Sequence, residues 1–180
     1  MDTVVVYKSK TGYTKKYADW IAEELACKSY DYKSARSLNF SQYDTVIFGG
    51  SLYASGILGL KSFKKRLDFS KINKLLVFAV GATPPEADLE KMLTEKNVRK
   101  EERSMTKIFY MRGGFDYNSL NLVDKMLMSM MKRSIRKKKE SDRTADENGM
   151  LAAFNQPLDF TNRKNILPII NYYRCHDHVG

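Results

Sequence analysis

Six residues open the search for chemistry: Ser9-Lys10-Thr11-Gly12-Tyr13-Thr14. They follow an apolar run, Thr3–Tyr7, and lead directly into a helical pattern. Three hydroxyls and a glycine at a helix N-terminus can wrap a phosphate. The hydroxyls donate, Gly12 lets the backbone come close, and the helix dipole favours negative charge. The plainer alternative is that Thr11 or Thr14 caps the helix. Competing phosphate motifs are absent. No G-x-G-x-x-G follows the first run, and no G-x-x-x-x-G-K-[ST] occurs anywhere. A Mg²⁺ site at the strand ends would need carboxylates, where this chain has Lys8-Ser9 and Gly49-Gly50.

Two further segments have a texture suited to a ligand. Ser51-Leu52-Tyr53-Ala54-Ser55-Gly56 combines small residues with one aromatic. A flat ring could enter closely there, with Tyr53 stacked on it and Gly56 permitting a peptide flip. The alternative is a glycine-rich turn with Tyr53 at the surface. Gly81-Ala82-Thr83 offers more small residues, and a further run ends in Arg112-Gly113-Gly114-Phe115. No acid–base or nucleophilic set is visible, because both histidines lie in the tail Cys175-His176-Asp177-His178. That tail looks like part of a metal site, yet such sites need three or four convergent ligands. No catalytic residue and no metal ligand is assigned.

Four apolar runs must position these loops: Thr3–Tyr7, Thr45–Gly49, Leu75–Gly81 and Lys107–Met111. They lack polar alternation, as strands buried on both faces do in a parallel sheet. A more polar stretch, Ser29–Lys33, reads as an edge strand. Helical faces fall between the runs. In Thr14–Ala26 the face is Tyr17, Ile21 and Leu25; in Ile57–Leu67 it is Leu60, Phe63 and Leu67. Thr83-Pro84-Pro85-Glu86 reads as a capping box that starts a helix carrying Leu89, Met92 and Leu93. A last helix is expected over Asn162–Arg174, kinked or delayed by Pro168. Alternating strands and helices predict a doubly wound α/β domain. Such folds bind ligands at the carboxyl ends of their strands, where the loops above fall.

Composition agrees with one folded domain. The chain has 180 residues, 43 % of them hydrophobic and 12 % aromatic, enough for a core. Two cysteines make no disulfide framework, which fits a reducing compartment; Cys27 reads as a small buried hydrophobe. No apolar run approaches the roughly 18–20 residues of a membrane span. The N-terminus carries an acid where a signal peptide would be basic. A cytoplasmic protein is expected, with the inner membrane face left open.

Taken in order, the three loops resemble those of the flavodoxin-like FMN-binding family. Its phosphate loop, [ST]-x-T-G-x-T, is matched by Ser9, Thr11, Gly12 and Thr14. The resemblance implies a doubly wound five-stranded parallel sheet in the order 2-1-3-4-5, with FMN as cofactor. It implies that residues 9–14 hold the phosphate, and that Ser51, Leu52, Tyr53, Ala54 and Gly56 with Gly81, Ala82 and Thr83 hold the ring. Backbone near Gly50–Gly56 would meet the N5 side, and no side chain needs to act as acid or base. The implied function is an oxidoreductase. A flavodoxin-type carrier between proteins and a flavin-free binding or scaffold protein are the alternatives. The family's carriers are typically acidic, unlike this chain.

The chain is longer than a minimal flavodoxin. The surplus, about residues 115–155, forms a basic helical insertion after the last strand. In position and texture it is similar to the insertion of bacterial flavodoxin-like protoporphyrinogen oxidases, which use menaquinone. That likeness implies electrons passing through FMN to a quinone or a protein acceptor.

Net charge is +10, from 31 Lys and Arg against 21 Asp and Glu. No acid stands between Lys125 and Lys139, a stretch with seven basic residues, so the basicity is expected to belong mainly to the insertion. Leu120, Val123, Leu127, Met130 or Met131, and Ile135 repeat at helical spacing and define one apolar face. A basic amphipathic helix over Leu120–Lys139 can lie on an anionic membrane. It can equally pack on its own domain or in a homodimer. Nucleic acid is not expected, since no stacking aromatics interleave the charge.

Overall fold

The computed structural model describes residues 2–53 and 56–177. The chain divides into two compact units, Met1–Gly113 with Thr161–Gly180, and Gly114–Phe160.

Five parallel strands form the main path of the first unit's sheet: β1 (Thr3–Lys8), β2 (Lys28–Asp31), β3 (Thr45–Tyr53), β4 (Lys74–Gly81) and β5 (Thr106–Arg112). They run parallel in the order β2-β1-β3-β4-β5, the predicted topology. Alternate residues serve opposite faces, so each strand feeds two cores. On one face Val4, Val46, Phe48 and Val77 pack with Leu60, Phe63 and Leu93. On the other Val5, Ile47, Leu76 and Phe78 pack with Tyr17, Ile21, Ile169 and Ile170. The first set of helical residues belongs to α2 (Leu60–Lys64) and α3 (Leu89–Asn97), the second to α1 (Tyr13–Glu24) and α6 (Leu167–Asp177). A Cβ on Gly49 would fall 2.0 Å from the Phe78 ring, so only glycine lets that ring lie against β3. Cys27 is half-buried, and burial pushes its thiol up to about 11.

Two helices differ from the sequence expectation. Strand β3 runs four residues past Gly49, because the chain turns and Gly56–Ile57 pairs antiparallel with its end. That uses Ile57 as strand, and Gly59 then adopts a φ of +86° at the α2 N-cap. The predicted helix over 57–67 therefore shrinks to five residues. Likewise α3 starts at Leu89, well after Thr83. Paired prolines disfavour α geometry in the residues before them, and the Thr83 carbonyl is held by the Tyr110 hydroxyl. Glu90 of α3 accepts from the Tyr110 N–H, covering one donor of edge strand β5. At the C-terminus α6 starts at Leu167 after a turn over Arg163–Ile166, so Pro168 falls in its first turn, where proline is tolerated, and does not delay the helix.

The second unit covers the segment expected as an insertion. It holds α4 (Leu122–Lys137) and α5 (Ala145–Ala153), and its ends pair as two-residue antiparallel strands, Gly114–Phe115 with Leu158–Asp159. Asn121 caps α4 by accepting from the Asp124 N–H, and Thr144 with Glu147 forms a capping box on α5. The Phe154 ring packs against Phe115 and Tyr117 with the Lys132 ammonium over it. The side chain of Arg143 donates to the carbonyls of Ile135, Arg136 and Lys138, closing the end of α4.

Two expectations about this unit change. The inward face of α4 is Asp124, Met128, Met131 and Ile135, so the predicted apolar face is rotated. Leu122, Val123, Met126, Leu127 and Met130 stand outward. The charge also distributes differently. Gly114–Phe160 holds eight Lys and Arg against seven Asp and Glu, because Glu140, Asp142, Asp146 and Glu147 follow the basic run. The remaining 23 basic and 14 acidic residues lie in the sheet unit, which therefore carries most of the excess. No helix among the described residues is long and apolar enough to cross a membrane.

Candidate functional site

The strands end level with one another. Lys8 pairs with Gly50, Ser51 with Val80, and Gly81 with Arg112, so the loops after β1, β3 and β4 leave from one edge of the sheet.

The first loop ends in Gly12, which adopts a φ of +92° at the N-cap of α1. Glycine takes that conformation without steric penalty. Its N–H donates to Ser9 Oγ at 3.0 Å, and open space surrounds the position a Cβ would fill. No side chain caps α1 and no acid stands in its first turn, so neither threonine acts as the cap that was the plainer alternative. Thr14 is instead buried, and its Oγ1 shares a 3.0 Å hydrogen bond with Ser51 Oγ. Thr11 is half-buried. Tyr13 is also half-buried and packs against the α1-side core, so its side chain serves packing. The Lys10 ammonium lies 4.4 Å from the centre of the Tyr53 ring.

In the second loop, the Ser51 carbonyl accepts from the Leu58 N–H at 2.9 Å. Leu52 pairs with Ile57 and packs on the core. Tyr53 stands at the surface, 43 % exposed. Ala54 lies outside the described residues. Gly56 pairs with Tyr53, and a Cβ there would make an ordinary 3.5 Å contact, so space does not demand glycine. Gly50 is different: its Cβ would fall 2.8 Å from the Leu58 carbonyl oxygen, which blocks the returning chain.

The third loop is fastened to the end of β5. The Gly81 carbonyl accepts from Gly113 N–H at 2.7 Å, the Ala82 carbonyl from Arg112 Nε at 3.2 Å, and the Thr83 carbonyl from Tyr110 O–H at 2.7 Å. Burial raises the Tyr110 hydroxyl's pKa, against the pull of its Thr83 hydrogen bond. Tyr17 ties α1 to the same place. Its hydroxyl donates to the Arg112 carbonyl at 2.6 Å and accepts from Asn165 Nδ2 at 2.7 Å.

The first and second loops are thus joined through Thr14–Ser51 and Lys10–Tyr53, and the third is joined to β5. Tyr17, Tyr110 and Arg112 were not among the expected site residues. Tyr110 and Arg112 carried only a signal of position, an aromatic and an arginine at the end of a strand run, and Tyr17 read as one member of a helical apolar face. Among the described residues no group of three or more His, Cys, Asp or Glu converges to hold a metal.

The donor set fits a phosphate. Hydroxyls of Ser9 and Thr11, the Lys10 ammonium and the uncapped positive end of α1 share one loop, and Gly12 opens onto unfilled space. Tyr53 stands at the surface beside a run of small residues, 81–83, a combination with room for a flat ring.

The family model of the flavodoxin domain matches residues 4–143. The chain belongs to the flavodoxin domain family. No curated protein matches it by sequence. Similar solved structures include the Trp repressor binding protein of Bacillus subtilis, 16 % identical with a TM-score of 0.46 over 61 % of this chain and 84 % of that one. A flavodoxin from the domain Archaea is 18 % identical, with a TM-score of 0.44 over 62 % and 82 %. A flavoprotein in complex with FMN from Lactobacillus acidophilus is 14 % identical, with a TM-score of 0.42 over 62 % and 91 %.

Proposed function

We propose that this chain binds FMN at the carboxyl edge of its sheet and works as a redox protein. One observation carries the reading: α1 begins at a left-handed glycine, with no capping side chain and no acid in its first turn. Its positive end is open to an anion, and the Ser9 and Thr11 hydroxyls stand in the same loop. Those hydroxyls, the loop N–H groups and Lys10 would hold the phosphate. Thr14 would act indirectly, fixing the loop against Ser51. Tyr53 and Gly81–Thr83 would flank the ring, the latter kept in place by Tyr110 and Arg112. FMN supplies hydride and single-electron chemistry when bound. The chain's own part is to bind, orient and set the local field, to which Lys10 and Arg112 add positive charge.

Within that reading, the chain is an oxidoreductase of the protoporphyrinogen oxidase-like type, handing electrons to a quinone or a protein acceptor. The extra unit placed after β5 supports this, as does the basic sheet unit, which is unlike an acidic carrier.

Purified protein should show flavin absorbance, or gain it when FMN is added. Colourless protein that takes up no FMN rejects the proposal. Turnover of protoporphyrinogen with a menaquinone analogue supports the enzyme. Bound FMN without turnover, together with electron exchange with a partner protein, makes the chain a carrier.

A further inference from the structure

Helix α4 carries its apolar side chains on the wrong side for a core. Its buried positions are Asp124 and Ile135, with Met128 and Met131 half-buried beside them. The opposite side shows Leu122 at 86 % exposure, Val123 at 63 %, Met126 at 60 %, Leu127 at 44 % and Met130 at 64 %. Spacings of three and four residues gather these into one stripe over the first turns of the helix. Leaving such a stripe in water is unfavourable, and contiguous exposed apolar surface marks an interaction site.

The same stripe continues as charge. Arg133 and Lys137 follow Met130 at the next helical positions, and Lys132 and Arg136 flank them. No acid follows Asp124 within the helix, and past its end Glu147 pairs with Lys138 at 2.6 Å. Helix α4 is thus apolar in its first half and basic in its second along one outward face.

We propose that α4 lies in the surface of an anionic lipid bilayer, its apolar stripe among the acyl chains and its basic half among the headgroups. Charge and size select this occupant. Phosphate-bearing headgroups match Arg133 and Lys137, whereas a parallel second copy would set those cations against their own counterparts. A stable protein interface uses roughly 20–30 residues on each side, far more than five apolar side chains supply, while an interfacial helix needs no such partner area. The inference stands apart from the flavin reading and does not need it.

Flotation of the full chain with vesicles tests it. Binding is expected to vesicles containing phosphatidylglycerol and not to pure phosphatidylcholine. Each basic residue near an anionic surface contributes roughly a factor of five, so Arg133→Gln with Lys137→Gln should weaken binding about 30-fold. Leu122→Ser, Met126→Ser and Met130→Ser together should weaken it at least about 100-fold. All five positions face outward, so an unchanged circular dichroism spectrum and melting point will show that the fold is intact. No binding to either vesicle overturns the proposal, as does equal binding to both. So does a dimer that the triple serine variant converts to monomer without any lipid.

Discussion

Thr14 Oγ1 lies 3.0 Å from Ser51 Oγ, and this contact ties the start of α1 to the end of β3. It crosses from the first loop of the site to the second, and Thr14 is buried. Thr14→Val keeps the shape and removes the hydroxyl. A lost hydrogen bond of this kind costs about 1 kcal/mol of stability. The larger expected effect is on the proposed FMN site, because the two loops lose one of the links between them. FMN fluorescence titration should show at least roughly tenfold weaker binding, a step worth about 1.4 kcal/mol. Unchanged affinity would leave the contact a purely structural one.

Gly12 adopts a φ of +92° with open space beyond it. An alanine there meets no neighbour but must enter left-handed geometry, at a cost of about 1–2 kcal/mol. Gly12→Ala should lower the urea midpoint accordingly. FMN should in turn stabilise the variant less than the wild type, since the shifted loop turns its N–H groups away.

Glu102 is buried between two cations. Lys64 Nζ lies 2.6 Å from Oε2, and Arg99 donates to Oε1 through Nε and NH2. Burial alone would raise its carboxyl pKa, but the hydrogen bonds from Lys64 and Arg99 outweigh this and hold it below the usual range. A carboxylate with a lowered folded pKa stabilises the fold above its unfolded pKa, about 4.3. That stability is lost as the pH falls through the lower folded value. Glu102→Gln leaves the Lys64 charge poorly paired and should cost about 3 kcal/mol at neutral pH. Denaturation measured from pH 7 to pH 3 should show a flatter acid limb in the variant.

The Tyr110 hydroxyl donates to the Thr83 carbonyl at 2.7 Å and holds the third loop across the end of β5. Tyr110→Phe keeps the ring and removes that hold, at about 1 kcal/mol. Amide hydrogen exchange at Ala82 and Thr83 should accelerate while β4 stays protected. The same protection in variant and wild type would show that Arg112 and Gly113 suffice.

The sheet was legible because Val4–Val6, Val46–Phe48 and Leu75–Ala79 are continuous apolar runs that only a doubly covered strand can use. The candidate phosphate loop could be read as one because its hydroxyls and glycine are contiguous, and the left-handed Gly12 at the start of α1 is what the structure adds. Other features depend on register, which spacing along the chain does not reveal. Ile57 reads as the start of a helix until Leu52 is seen to pair with it. Thr83 reads as a cap until Tyr110 takes its carbonyl, and Arg112 gains a role only when Gly81 stands opposite it. The rotation of α4 was hidden for a related reason. Its inward face includes Asp124, a charge that a search for apolar periodicity assigns to the solvent.

The pairing of Gly114 with Asp159 and Phe115 with Leu158 has a practical meaning for engineering this chain. The second unit departs and returns through adjacent strands, about 5 Å apart, so to the rest of the backbone it is a single loop of fixed gauge. Excision between Gly113 and Thr161, with a short turn in its place, would therefore remove both strands of the pair together. Cuts inside it are another matter. Removing Phe115–Lys139 would take Phe115 from the clasp and leave Leu158 without its partner, so the natural scissor marks are 114 and 160.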